Sequence, residues 1–431
     1  MILKHDRVKV NTRYNKPFKM KKTIIILFTI VLFLPACGNN RKSKTIISSS
    51  DTDSKQVIVE KTKPIVNVYV ENSGSMFGYI RNGNDFDRSI SSLYTSIKVS
   101  DFSDSINLFY INSRTFKENA DISTFIRNTN IHNTTNWPGD LTRTDMCTLF
   151  DMVTSAVNNN VISIFVSDCI FSPGNEDANK YIGAQKDCIT LMINQKLKRL
   201  NMAFVIHRLL SSFQGNYFDC EDRPTQINGV RPFYIWVVGS REIIAEFNQK
   251  VSKDKIEGQL KNSFTIFKSD SKTSYAVQLG PKIGDFERTS PTSIKKTKKD
   301  NDSGRFMFSV AVDFSALLVD DSYLIKPHNY FISNPNYSIE ILKKPMGKHT
   351  HLIKINSTAK IISPTKLTIQ LKNIIPKWVD EFSDESCANI KSEGMMQKTY
   401  GLKQIVQGVY AAYNYEDDVL AEISININQN Q

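Results

Sequence analysis

Several signatures of well-defined chemistry are missing from this chain. It has no Gly-x-x-x-x-Gly-Lys-Ser/Thr loop to cradle phosphates, no Gly-x-Ser-x-Gly elbow and no Cys-x-x-Cys pair. Those absences set aside P-loop nucleotide hydrolysis, the common serine-esterase elbow and thiolate metal ribbons. Histidine is scarce, with 6 among 431 residues, and no internal repeat is visible. The charge-free run Thr23 to Leu34 is the strongest apolar stretch, and it falls short of the ~20 residues a membrane helix needs.

That short run has basic residues before it, namely Lys19, Lys21 and Lys22, and Leu34-Pro35-Ala36-Cys37-Gly38 after it. A basic start followed by a short apolar core reads as a secretory signal. The Cys37 segment resembles a bacterial lipobox, which implies cleavage before Cys37 and lipidation of its thiol. Residues 1–37 are therefore expected as a lipoprotein signal, with Met20 as a second start that gives a signal of conventional length. Gly38 lacks the acidic character of an inner-membrane retention signal, so a cell envelope location is expected, on the outer membrane where one exists. Residues 1–36 carry a net +7 of the chain's +12. The +5 that remains is unremarkable and gives no argument for nucleic acid. Residues 38–64 are polar and rich in Ser, Lys and Thr, as expected of a flexible tether.

From 65 to 255 strand and helix patterns alternate. Val66 to Val70, Ile106 to Ile111, Val161 to Val166, Ala203 to Ile206 and Phe233 to Gly239 read as strands; helical spacing appears in Asp87 to Ile97, Asp145 to Val157, Asp177 to Leu200 and Arg241 to Phe247. This predicts an α/β fold, an open sheet with helices on both faces. From 260 to 431 the period changes to two, in Phe306 to Val312, Tyr337 to Ile341, His351 to Ile355, Leu367 to Leu371 and Ile423 to Ile427. That pattern predicts a β-rich, antiparallel or sandwich-like second domain. One helical stripe interrupts it, Leu402, Ile405, Val406, Val409, Tyr410 and Tyr413, and is expected to pack in a core. The basic run Lys295 to Lys299 reads as a solvated loop.

The segment Val66-Asn67-Val68-Tyr69-Val70-Glu71-Asn72-Ser73-Gly74-Ser75 runs from an apolar strand straight into a carboxylate and two hydroxyls. Oxygen ligands just past a strand end suit a hard cation such as Mg2+, which keeps several waters and leaves room for a partner's acid. The segment resembles the metal-site loop of von Willebrand factor type A (vWA) domains, the metal-ion-dependent adhesion site. The resemblance implies a Thr from a second loop and an Asp after a later strand. Thr144 in Gly139-Asp140-Leu141-Thr142-Arg143-Thr144-Asp145 matches the first, with Thr142 as the alternate, and Asp168 in Val166-Ser167-Asp168 matches the second. The expected ligands are thus Glu71, Ser73, Ser75, Thr144 and Asp168. Glu71 stands where the family has Asp, and its extra methylene moves the carboxylate outward by roughly 1.5 Å. Mn2+ or Ca2+ is then an alternative to Mg2+, and capping of turns by these hydroxyls is the metal-free alternative.

Other groups carry less. Apart from Cys37, the cysteines 147, 169, 188, 220 and 387 show no ligand spacing and read as buried thiols with at most a disulfide or two. His349 and His351 share a strand face without a third ligand nearby, and His207 reads as packed. The expectation is a non-enzymatic, lipid-anchored protein that grips a protein or glycan partner through the partner's acidic group. A metal-free assembly lipoprotein on the same scaffold is one alternative. A metal-dependent hydrolase with Ser73 or Ser75 as nucleophile is the other.

Overall fold

Alternation in the first apolar run sets the layering. In strand β1 (Ile65–Glu71), Val66, Val68 and Val70 enter one apolar core while Tyr69 enters a second on the opposite side. The computed structural model describes residues 62–80, 83–119, 121, 124, 138–141, 145–174, 177–269, 272–413 and 418–428. The chain divides into two units, Met1–Val59 and Glu60–Gln431. The first, with the signal segment and Cys37, lies outside the described residues, as does most of the tether.

Seven strands form one mixed sheet: β1, β2 (Ser105–Ile111), β3 (Thr115–Glu118), β4 (Val161–Ser167), β5 (Met202–Phe218), β6 (Pro224–Ser240) and β7 (Gln259–Phe267). Their order across the sheet is β3-β2-β1-β4-β6-β5-β7. β1 lies parallel to both β2 and β4. All but one residue of β4 is buried, as a near-continuous apolar strand between two helix layers requires.

Helices α1 (Asp85–Val99) and α4 (Arg241–Lys250) place Phe86, Ile90, Leu93, Ile97, Ile243, Ile244 and Phe247 in the first core. The side chain of Asn84 caps α1 by accepting from Asp87 N, and Asp85 and Asp87 in the first turn with Lys98 in the last suit its dipole. On the other face, α2 (Met146–Ser155) and α3 (Ala178–Leu197) fill the second core. A disulfide joins Cys147 to Cys188 across these two helices.

The run Ala203 to Ile206 proves to be the beginning of a 17-residue strand. Its partner β6 is equally long, and the two pair with each other from Met202 against Ser240 to Phe218 against Pro224. The polar residues Gln214, Gly215 and Asn216 hid this length, because they belong to a part of the hairpin that lies beyond the rest of the sheet. β4 stops at Ser167, opposite Tyr234, and β7 starts opposite Leu210. Past Leu210 the hairpin continues alone for eight residues, about 26 Å at ~3.3 Å each.

Strands β8 (Ser274–Ile283), β9 (Asp285–Ser290), β10 (Ser293–Lys298), β11 (Phe306–Asp313), β12 (Tyr330–Ile332), β13 (Tyr337–Met346), β14 (His349–Ser357) and β15 (Thr365–Lys372) follow. Two-residue strands β16 (Ser383–Asp384) and β17 (Thr399–Tyr400), helix α5 (Leu402–Ala411) and strand β18 (Val419–Ile427) complete the order. Apart from the parallel two-stranded pair β16-β17, two sheets result among the described residues, β12-β15-β18-β10-β9 and β13-β14-β11-β8. Their pairings are antiparallel apart from β10 with β18. Phe308, Val310 and Ile353 from one sheet and Leu367, Ile369 and Ile425 from the other share one core, which is continuous with that under α1 and α4. The basic run read as a solvated loop is instead mostly strand: β10 takes in Lys295 to Lys298, Ile294 beside it is fully buried, and Lys295 and Lys296 reach Glu287 on β9 at 3.4 and 3.0 Å. Glu287, on the neighbouring strand, supplies their countercharge. The stripe on α5 does pack in a core, and its neighbour is α3 of the first sheet.

Candidate metal centre

β1 and β4 run in register from Ile65 against Val161 to Val70 against Val166, so their carboxyl ends stop side by side. Glu71 ends β1, and Asp168 follows the last residue of β4. The chain goes from β1 to β2 on one side and takes up β4 on the other. This is a switch point of the sheet, the place where open α/β sheets hold ligands.

Glu71, Ser73 and Asp168 are buried, while Ser75 keeps partial exposure. Ser73 and Ser75 share a hydrogen bond of 3.0 Å between their hydroxyls. Backbone contacts fix their loop: Asn72 N donates to Ile111 O at 3.1 Å and Gly74 N to Leu141 O at 3.0 Å. Asn72 Nδ2 and Asn112 Nδ2 both donate to Pro138 O, at 3.1 and 2.8 Å. The turn Gly74–Gly78 then lies beneath the free part of the long hairpin. A Cβ on Gly78 would collide with the ring of Phe213, and one on Gly215 would come within 2.8 Å of Gly78 Cα. Only glycine at both positions allows the hairpin to close over this loop.

Asp168 is the most telling group. Its Oδ1 accepts from Ile170 N at 3.2 Å, while its buried Oδ2 has no hydrogen-bond partner among the described residues. Burial raises the pKa of this carboxyl, and the Ser75 hydroxyl, the Ile170 N–H and the charge of Arg231 pull it partly back. A buried carboxylate oxygen left without a partner is costly unless it meets a proton or a cation. Asn72 Oδ1, also buried, has no partner among the described residues. Glu71, Ser73, Ser75 and Asp168 thus gather oxygen donors only, and that donor set fits a hard cation. Two carboxylates and two hydroxyls leave an octahedral ion in need of further ligands. Among the described residues no three His, Cys, Asp or Glu side chains come together to hold a metal.

Thr144 and its alternate Thr142 lie outside the described residues. Their neighbour Asp145 caps α2: Oδ1 accepts from Thr148 N at 2.7 Å and Oδ2 from Gln185 Nε2 at 2.6 Å. His351 is buried with Nε2 3.5 Å from Asp321 Oδ1, and Thr350 Oγ1 lies 2.9 Å from its Nδ1. Cys169, in the left-handed region at φ 55, is a buried thiol whose pKa burial raises; Cys220 and Cys387 form the second disulfide.

Two residues near the centre went unread in the sequence. Arg231 on β6 is fully buried; its Nη1 donates to Met396 O at 3.2 Å and Lys398 O at 3.1 Å, and its guanidinium lies 4.7 Å over Tyr217. Tyr79, whose pKa burial raises, donates to Pro232 O. The available signal was a lone Arg inside an otherwise apolar alternation, and it becomes meaningful only once the hairpin is known to fold over the site. Among the described residues no helix is long and apolar enough to cross a membrane. Comparison of the chain with protein-family models, curated proteins and solved structures finds no match.

Proposed function

We propose that this is a lipid-anchored protein of the cell envelope whose mixed sheet, of vWA type, binds a protein or glycan partner through a cation. The observation that carries the reading is Asp168, a buried carboxyl beside the Ser75 hydroxyl whose Oδ2 has no hydrogen-bond partner among the described residues, at a switch point shared with Glu71 and Ser73. Mg2+, or the looser Mn2+ or Ca2+, meets the need of that oxygen and is left with vacant positions for Thr144, water and the partner's acid. Partly exposed Ser75 marks the side from which that acid approaches. The disulfides Cys147–Cys188 and Cys220–Cys387 support an exported location, since such bonds persist in oxidising compartments. The protein acts here as a binder, with no turnover assigned to it.

A second reading keeps the lipoprotein and the scaffold but no metal. It is favoured by the hairpin that closes over Gly74–Gly78, because a covered loop is poorly placed to meet a partner. Calorimetric titration of Mg2+, Mn2+ and Ca2+ into the unit Glu60–Gln431 separates the two. Saturable binding is expected, and it is lost when Ser73→Ala and Ser75→Ala are combined. A folded protein that binds none of the three ions would leave the metal-free reading standing.

A further inference from the structure

The hairpin β5–β6 ends over the candidate centre, and one side chain there does the covering. Gly74 separates Ser73 from Ser75, and a Cβ placed on it would meet the ring of Phe218 at 3.7 Å. Phe218 ends β5, so its ring roofs the backbone between the two hydroxyls. The turn that follows is tied to itself. Asp219 Oδ1 accepts from Glu221 N at 2.9 Å and Arg223 N at 3.0 Å, and Asp222 N donates to Asp219 O at 2.9 Å. The turn from Phe218 to Pro224 therefore moves as one piece, and whatever holds Cys220 also holds Phe218.

The C-terminal half ties the free part of the hairpin at two points. At the root, past the end of β4, Arg231 reaches the carbonyls of Met396 and Lys398. At the tip the tie is the disulfide Cys220–Cys387. The Cys387 side is anchored in turn: Asp384 pairs with Tyr400 across β16 and β17, Gly401 N donates to Asp384 O at 3.0 Å, and α5 leads on into the second core. Cys220 is buried, whereas Cys387 is half-buried with φ 59, in the left-handed region that strains a non-glycine residue. A disulfide that solvent can reach is open to exchange with other thiols.

We propose that Cys220–Cys387 is a redox latch and that Phe218 is the lid it holds over the Ser73–Ser75 loop. An external dithiol opens it: a thiolate attacks, the S–S bond breaks, and two electrons and two protons pass to the protein. Cys220 and Cys387 become thiols, and the dithiol becomes a disulfide. The turn is then held by the two strands of the lone hairpin, and a two-stranded ribbon is marginal by itself. Lifting the ring of Phe218 opens the serine hydroxyls to solvent. That the latch governs the approach of a cation and of a partner's acid rests on the function proposed above; the latch itself does not.

Hydrogen exchange of the full chain, read by mass spectrometry over Asn72–Gly78, tests the latch without any metal. In the oxidised chain Gly74 N is bonded to Leu141 O and Met76 N to Ser73 O, so exchange there should be slow. Cys220→Ser with Cys387→Ser should speed it at least about tenfold and leave β4 protected. Dithiothreitol should do the same to the wild-type chain and add nothing to that variant. Phe218→Ala, which keeps both disulfides, should speed it too, whereas Cys147→Ser with Cys188→Ser should not. Unchanged exchange in the Cys220, Cys387 pair, in reduced wild type or in Phe218→Ala would overturn the latch. So would an equal rise in the Cys147, Cys188 pair, or loss of protection in β4, which would mean that the bond holds the whole fold. Titration of Mg2+ into the opened variant answers the other question separately: an open loop that binds no cation leaves the latch standing and removes the cation reading.

Discussion

The seven-stranded sheet and the sandwich are both built from alternating apolar strands, yet they differ in what else they bury. Glu71, Asp87, Asp168, His207, Arg208 and Arg231 are all buried within or against the mixed sheet. The two sandwich sheets bury mainly Phe, Val, Ile and Leu, with Ser309 and His351 as isolated polar members. Burying a charge costs several kcal/mol unless it is well compensated, so a fold keeps such groups where they do something. The buried groups able to do chemistry therefore gather on the mixed sheet, and the sandwich sheets bury almost none.

The comparison breaks most easily in the sandwich, where only packing is at stake. Phe308 is fully buried, with the ring of Phe306 at 5.9 Å and that of Phe286 at 6.2 Å. Phe308→Ala should cost about 3–5 kcal/mol through lost contact and the cavity left behind. Denaturant unfolding reads this, and it should do so in one transition, because a single apolar core runs from Val66 in the mixed sheet to Ile427 in the sandwich. Two separate transitions in the wild-type chain would show that the halves are less continuous than that core implies.

The mixed sheet should instead answer to pH. Burial lowers the pKa of His207 in the folded chain to about 4, from the 6.5 of a free imidazole. As pH falls from 6.5 to 4 the unfolded chain takes up a proton that the folded one refuses, so stability drops across that window and is whole above it. At ~1.4 kcal/mol per unit the loss reaches about 3 kcal/mol by pH 4. His207→Gln keeps a hydrogen-bonding group opposite Ser263 and should remove most of that slope. An unchanged slope in the variant would move the burden to another buried group.

Legibility in the sequence divides along the same line. Periodicity located β1, β2, β4, α1 and α5 to within two or three residues, because one-sided or two-sided burial writes itself into consecutive side chains. It shortened β5 and β6, whose far ends are exposed on one side and pair only with each other. It misread β10, whose lysines are balanced by Glu287, distant in pattern though near in space. Glu71, Ser73, Ser75 and Asp168 could be named together as candidates because they lie at or just past the ends of β1 and β4, which the pattern marks and which the sheet places side by side. Arg231 was not legible, since its place over Tyr217 depends on how a hairpin folds back, and the ring of Phe218 over Gly74 was not, since it is held by a bond between residues 167 apart.

Asp87 gives the finest test of the contrast, since it is an acid buried in the mixed sheet's helix layer with no cation assigned to it. Its Oδ2 accepts from Gly83 N at 3.0 Å, its Oδ1 has no partner among the described residues, and burial lifts its pKa from 3.8 to about 7. The folded state therefore holds this proton more tightly than the unfolded one. Its contribution favours folding below pH 4 and is lost as pH rises toward 7. The full span of that shift sets an upper bound of about 4 kcal/mol, and the surface groove that Asp87 lines admits enough solvent to reduce it to about 1–2. Asp87→Asn keeps an acceptor for Gly83 and removes the charge. It should raise the midpoint of thermal unfolding at pH 8 and change it little at pH 4. A gain of equal size at both values would mean that packing, not ionisation, sets the cost of the native acid.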